Sequence, residues 1–175
     1  MKQLILGGAR SGKSSLAEQL AAQSGKTVIY IATTKSSLND EEMSARIQHH
    51  RARRPDAWLT VETPVELAAQ LREQDAADRC LLVDCLTLWL SNCLFEQGTE
   101  CWQQQRSRLL DTLPSLQADV LLIGNELGSG LVPLGAENRQ FVDENGFLHQ
   151  ALAPLCDRVI LTAAGLPLVL KGTPL

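Results

Sequence analysis

The chain has 175 residues, enough for one domain with a full core, and a formal net charge of −4, which argues against nonspecific binding to a polyanion. Apolar residues make up 45% and aromatics only 4%, so alanine and leucine fill the interior, as in helix-covered sheets. The five cysteines form no C-x-x-C pair; their odd number and spacing fit free thiols in a reducing compartment, not a zinc or disulfide frame.

Short apolar runs alternate with longer amphipathic ones, the pattern of a parallel sheet wrapped by helices. The spacing predicts a strand at 3–7 (QLILG), then a helix from Lys13 to Ser24 stopped by Gly25. A second strand is expected at 27–32 (TVIYIA). The polar loop TTKSSLND follows, where Asn39 or Asp40 can cap a helix over 41–53. Strands at 58–62 and 80–84 enclose a helix at 64–74 with Pro64 near its start. Helices over 86–97 and roughly 101–116 lead to a fifth strand at 119–124, and a glycine-rich loop precedes a helix near 137–153. Strands six and seven are expected at 158–163 and 166–172. Only a Gly-Leu-Pro turn separates them, too short for a parallel crossover, so the last strand pairs antiparallel at an edge. The expected fold is one α/β domain over 1–175, a P-loop-type, doubly wound, mostly parallel sheet flanked by helices. The opening apolar run is too short for a signal peptide, and no stretch approaches the ~18 residues of a membrane span. The expected location is the cytoplasm.

Gly7 to Ser14, GGARSGKS, fits G-x-x-x-x-G-K-[ST] between an expected strand and an expected helix. Glycines let the backbone curl so that several N–H groups point inward, and the helix N-terminus adds partial positive charge. Across Gly7, Gly8, Ala9, Arg10, Ser11 and Gly12 the main chain would cradle phosphates. Lys13 would reach the outer ones, and the Ser14 hydroxyl can ligate Mg²⁺. A second acidic group is needed for the magnesium. Asp84 closes the apolar run CLLVD and should stand at the carboxyl end of a central strand, where ligands gather in open α/β sheets. Glu62 and Glu126 end strands on the same rim, and either a functional or a solvated role suits them. These residues mark a nucleotide-binding protein without choosing between kinase, ATPase and nucleotidyl transferase.

Two of the three histidines are adjacent, in ARIQHHRARRP. On a helix over 41–53, His50 shares a stripe with Met43 and Ile47, whereas His49 projects with Arg46 and Arg53. Flanking cations disfavour imidazolium, and a neutral imidazole can attack phosphorus while arginines hold the phosphates. A solvated basic face suits the same spacing. Zinc does not, because adjacent helical residues point apart, and nucleic acid lacks interleaved aromatics to stack on.

Taken together, these segments resemble the bifunctional adenosylcobinamide kinase / adenosylcobinamide-phosphate guanylyltransferase family of cobalamin biosynthesis. The matching stretches are GGARSGKS (7–14), YIAT (30–33), DEEMSARIQHHRARRP (40–55), TVE (60–62), LLVDCLTLWLSN (81–92), NELGSGLVP (125–133) and GLPLVLKG (165–172). The resemblance implies two reactions at one nucleotide site. A nucleoside triphosphate, ATP or GTP, phosphorylates adenosylcobinamide. GTP then guanylylates a histidine, which passes GMP to adenosylcobinamide phosphate. It makes His49 the nucleophile, with Lys13 beside it in catalysis. The implied nucleotide contacts are Gly7 to Ser14, Thr33, Thr34, Lys35, His50, Arg51, Ala52, Arg53, Glu62 and Asp84. It further implies Mg²⁺ on Ser14 and Asp84, corrinoid and nucleotide as the partners, no nucleic acid, and a homotrimer. One departure falls late, where His149 stands at a position the family gives to asparagine. Two rivals predict different behaviour: a simple P-loop small-molecule kinase, and a nucleotide-dependent switch or nucleic-acid module with salt-sensitive binding.

Overall fold

The structure, a computed structural model, describes residues 1–34, 55 and 57–175. The helix expected over 41–53 lies outside the described residues, and with it Lys35, His49, His50, Arg51, Ala52 and Arg53. Seven strands form one sheet: β1 (Lys2–Gly7), β2 (Thr27–Ala32), β3 (Leu59–Glu62), β4 (Arg79–Asp84), β5 (Asp119–Asn125), β6 (Arg158–Ala163) and β7 (Leu166–Lys171). Their order is β3-β2-β4-β5-β1-β6-β7, and every pairing is parallel except β6 with β7. The apolar runs at β1, β4 and β5 occupy the middle of the sheet, where both faces are covered.

Strand alternation divides the interior into two layers. Ile5, Tyr30, Leu82, Leu121, Ile123 and Ile160 pack with Ala17 and Ala21 of α1 (Lys13–Gln23). Leu4, Leu6, Ile31, Val83 and Leu122 face the other way. They meet α2 (Leu67–Glu73), α3 (Leu86–Ser91), α4 (Thr99–Thr112) and α5 (Ala136–Leu152). There Trp89 and Trp102 meet edge to face, centroids 5.3 Å apart.

Several boundaries differ from the sequence expectation for definable reasons. The helix expected from residue 64 begins at Leu67, because the carbonyls of Pro64 and Val65 accept hydrogen bonds from Asn92 Nδ2 (3.0 Å) and Trp89 Nε1 (2.7 Å). The helix expected over 86–97 is α-helical only to Ser91 and widens to a π-helix over Asn92–Glu96, where the Asn92 side chain turns inward. Pro114 and Pro154 tighten the ends of α4 and α5 into short 3₁₀ turns. The last hairpin turns on Ala164 and Gly165, both at positive φ (51° and 78°), as a two-residue turn of this hand requires. Leu166 and Pro167 already belong to β7, where proline is tolerated at a sheet edge.

Candidate nucleotide-binding site

Gly7 ends β1, and the loop that follows delivers the chain to α1 through Gly12, at φ 98°. Gly7 has no room for a side chain, since a Cβ there would strike the hydroxyls of Ser11 and Thr162. Gly12 needs its positive φ, and a Cβ on it would press to 3.0 Å from the Gly165 Cα. Gly8, Ala9 and Arg10 are exposed, with Arg10 at φ 58°. Lys13 folds back so that its Nζ donates to the Gly8 carbonyl at 3.2 Å, on the loop where phosphate would sit.

The loop is held from behind by residues that lie outside the phosphate-loop motif. Ser11 Oγ and Thr162 Oγ1 lie 2.8 Å apart, and Thr162 Oγ1 donates to the Leu6 carbonyl at 3.0 Å. The Gly165 N–H donates to the Ser11 carbonyl at 2.9 Å, and the Glu126 N–H to the Gly7 carbonyl at 3.0 Å. The partners of Ser11 lie some 150 residues away in sequence, so only the sheet order brings them together.

Asp84 stands at the carboxyl end of β4, partly exposed, as the sequence predicts. It lies one strand from β1, with β5 between. Its Oδ2 accepts a hydrogen bond from the Tyr30 hydroxyl at 2.9 Å, a partner the sequence did not reveal. Alternation puts Asp84 on the α1 face with Leu82 and Cys80, so the carboxylate and Ser14 share one side of the sheet. This oxygen-only pair suits Mg²⁺, which takes one or two protein oxygens and completes its shell with phosphates and water. Among the described residues no three His, Cys, Asp or Glu side chains group around a metal position.

Glu62 ends β3 opposite Ala32 of β2 and is exposed. Thr33 is fully buried, and its polar groups serve the rim itself. Its hydroxyl donates to the Cys85 carbonyl and accepts from the Cys85 N–H, each at 2.9 Å, while its carbonyl accepts from Asn92 Nδ2 at 2.8 Å. Thr34 follows, partly exposed. Glu126 accepts at its carboxylate from the N–H groups of Gly128 (2.8 Å) and Ser129 (3.2 Å). Hydrogen bonding by Ser129 and Gly128 holds its carboxyl below the usual range, so it is an anion that ties the 126–129 turn. His149 lies in the last turn of α5 with its Nε2 against Gly124, where a Cβ could not fit.

A glycine-rich loop between a buried strand and a helix, with an acidic residue two strands over on the same face, defines a P-loop nucleotide-binding α/β protein. A structural relative agrees in fold: the RadB recombinase superposes with a TM-score of 0.52 at 17% identity, covering 91% of this chain and 73% of that one. Residues 3–170 match the family described as cobinamide kinase / cobinamide phosphate guanyltransferase. The chain is 55% identical over 175 residues, all of both chains, to the bifunctional adenosylcobalamin biosynthesis protein CobP of Pseudomonas aeruginosa. It is 36% identical to the bifunctional adenosylcobalamin biosynthesis protein CobU of Escherichia coli, over 98% of this chain and all of that one. The chain belongs to the cobinamide kinase / cobinamide phosphate guanyltransferase family, and is an enzyme of that kinase and guanylyltransferase class.

Proposed function

We propose that the enzyme phosphorylates the aminopropanol hydroxyl of adenosylcobinamide with ATP or GTP, and then transfers GMP from GTP through a guanylyl group carried on His49. The observation that carries this is the phosphate loop at 7–14 facing Asp84 across one strand, in a chain alike from end to end to bifunctional relatives. In the kinase step the substrate oxygen bonds to the γ-phosphorus, the bridge to the β-phosphate breaks, and the nucleoside diphosphate leaves. The hydroxyl proton passes to a base or to solvent. In the guanylyl step an imidazole nitrogen of His49 bonds to the α-phosphorus and pyrophosphate leaves. A phosphate oxygen of adenosylcobinamide phosphate then displaces the imidazole, giving adenosylcobinamide-GDP.

In both steps the amides of the loop and Lys13 stabilise charge on the phosphates, at a position prepared before substrate arrives. Thr34, Lys35, His50, Arg51, Ala52, Arg53 and Glu62 complete the nucleotide's surroundings, and Thr33, expected from the sequence to touch the nucleotide, is instead buried and holds the rim behind them. Ser14 and Asp84 would hold Mg²⁺, which neutralises phosphate charge when bound. We assign the enzyme to the cytoplasm and to a homotrimer. No described helix is long and apolar enough to cross a membrane.

GTP labelled at the α-phosphate tests the covalent step. The protein should acquire label that survives base and is lost in acid. His49→Ala should abolish it, and His50→Ala should leave the nucleophile in place. An unlabelled wild-type protein under turnover conditions would exclude the guanylyl-histidine and leave the simple kinase.

A further inference from the structure

Two buried polar side chains converge on the backbone of one residue, Asn125, beside the phosphate loop. The Asn125 N–H donates to Thr87 Oγ1 at 2.8 Å, and the Asn125 carbonyl accepts from Asn145 Nδ2 at 2.9 Å. Thr87 Oγ1 in turn donates to Asn145 Oδ1 at 3.3 Å, which closes the ring. Thr87, from α3, is 7% exposed and Asn145, from α5, only 2%. Burying polar groups in a core is costly unless they are paired, and apolar residues would serve packing alone at least as well. What this arrangement secures is the position of residue 125.

That position is distinctive. Asn125 is the last residue of β5, which lies between the phosphate-loop strand β1 and the Asp84 strand β4. It pairs with Gly7. Strand alternation fixes its face. The preceding Gly124 looks toward His149 and Leu6, on the α5 side. The Asn125 side chain therefore leaves the opposite face with Ile123, the face that also carries Asp84, Gly7 and α1. Asn125 is partly exposed there, past the end of the buried strand.

We propose that Asn125 contacts the terminal phosphate of the bound nucleoside triphosphate, its carboxamide N–H donating to a γ-phosphate oxygen, with Thr87 and Asn145 as positioning residues. A carboxamide is suited to this place because it donates without adding charge beside Asp84. The inference rests on the phosphate-loop site proposed above and adds to it a way of telling a triphosphate from a diphosphate.

The α,β-methylene analogues of GTP and GDP, which resist cleavage at the α-phosphate, test it by calorimetry in the presence of Mg²⁺. Asn125→Ala should weaken the triphosphate analogue by roughly tenfold or more and leave the diphosphate analogue within about twofold. Asn125→Asp should weaken the triphosphate analogue further, by charge repulsion. Thr87→Val should show the same selective loss, and Thr87→Ser, which keeps the hydroxyl, should restore it. Equal weakening of both analogues by Asn125→Ala, or no change in either, would overturn the contact. Thr87→Val with the wild-type affinity ratio would overturn the positioning role. A wild-type protein that binds neither analogue would overturn the nucleotide site and this inference with it.

Discussion

His149 carries one nitrogen, Nε2, that is buried with no hydrogen-bond partner among the described residues. Burial pushes its pKa down from 6.5 to about 4, against the opposing pull of the Glu126 carboxylate. The ring is therefore neutral in the native state over a range where the unfolded chain takes up a proton. Between about pH 6.5 and pH 4 the unfolded state binds more protons, so stability falls as pH falls through that window and levels off below it. Of the acid-induced loss between pH 7 and pH 5, roughly 2 kcal/mol should come from this one side chain. His149→Asn should remove that share, read as a smaller difference between urea midpoints at the two pH values. A variant with the wild-type pH dependence would show that His149 does not carry the effect. Gly124 is matched to this ring, since any Cβ there would collide with it. No pattern of residues in the chain announces the match, because it joins the end of β5 to the last turn of α5.

At the scale of elements, the β6–β7 hairpin acts as a brace for the phosphate loop. Thr162 ties β6 to Ser11 and to the end of β1, and the hairpin turn adds the bond from Gly165 to Ser11. Thr162→Val keeps the shape but leaves the buried Ser11 hydroxyl and the Leu6 carbonyl short of a partner. It should cost about 1–3 kcal/mol of stability and raise the KM for nucleotide, and Thr162→Ser should recover most of both. Denaturant midpoints and steady-state kinetics on the two variants check this, and an unchanged Thr162→Val would contradict the brace. The antiparallel hairpin itself was legible, because two strand-like runs so closely spaced cannot be joined in parallel. Its function was not, since the strand order that sets β6 beside β1 comes from pairings remote in sequence.

For the whole molecule, the apolar surface is uneven. Leu131, Val132 and Leu134 are 98%, 78% and 98% exposed in the loop after β5, and Leu166, Leu168 and Leu170 are exposed along β7. By alternation those last three share one face of an edge strand, and an edge that presents apolar side chains invites another chain. If the homotrimer proposed above forms through these surfaces, Leu168→Glu with Leu170→Glu, or Leu131→Glu with Leu134→Glu, should dissociate it. Sedimentation should then give a mass near one 19.1 kDa chain in place of about three. A wild-type protein that sediments as a monomer would exclude the assembly.

The sequence by itself determined the local matters. Length of apolar runs set the strands at 27–32 and 158–163 to the residue, and the spacing of glycines, lysine and serine at 7–14 identified the phosphate loop. The same apolar run that makes β4 central placed Asp84 at its tip. These features depend on near neighbours, whose geometry the backbone period dictates. Tertiary structure alone decided the pairings: Tyr30 with Asp84, Thr162 with Ser11, and Thr87 and Asn145 around Asn125. It also began α2 at Leu67, by engaging the carbonyls of Pro64 and Val65 from the π-helix and α3. A hydrogen bond between residues far apart in the chain leaves no periodic trace. It exists only once the sheet has ordered its strands and closed the distance.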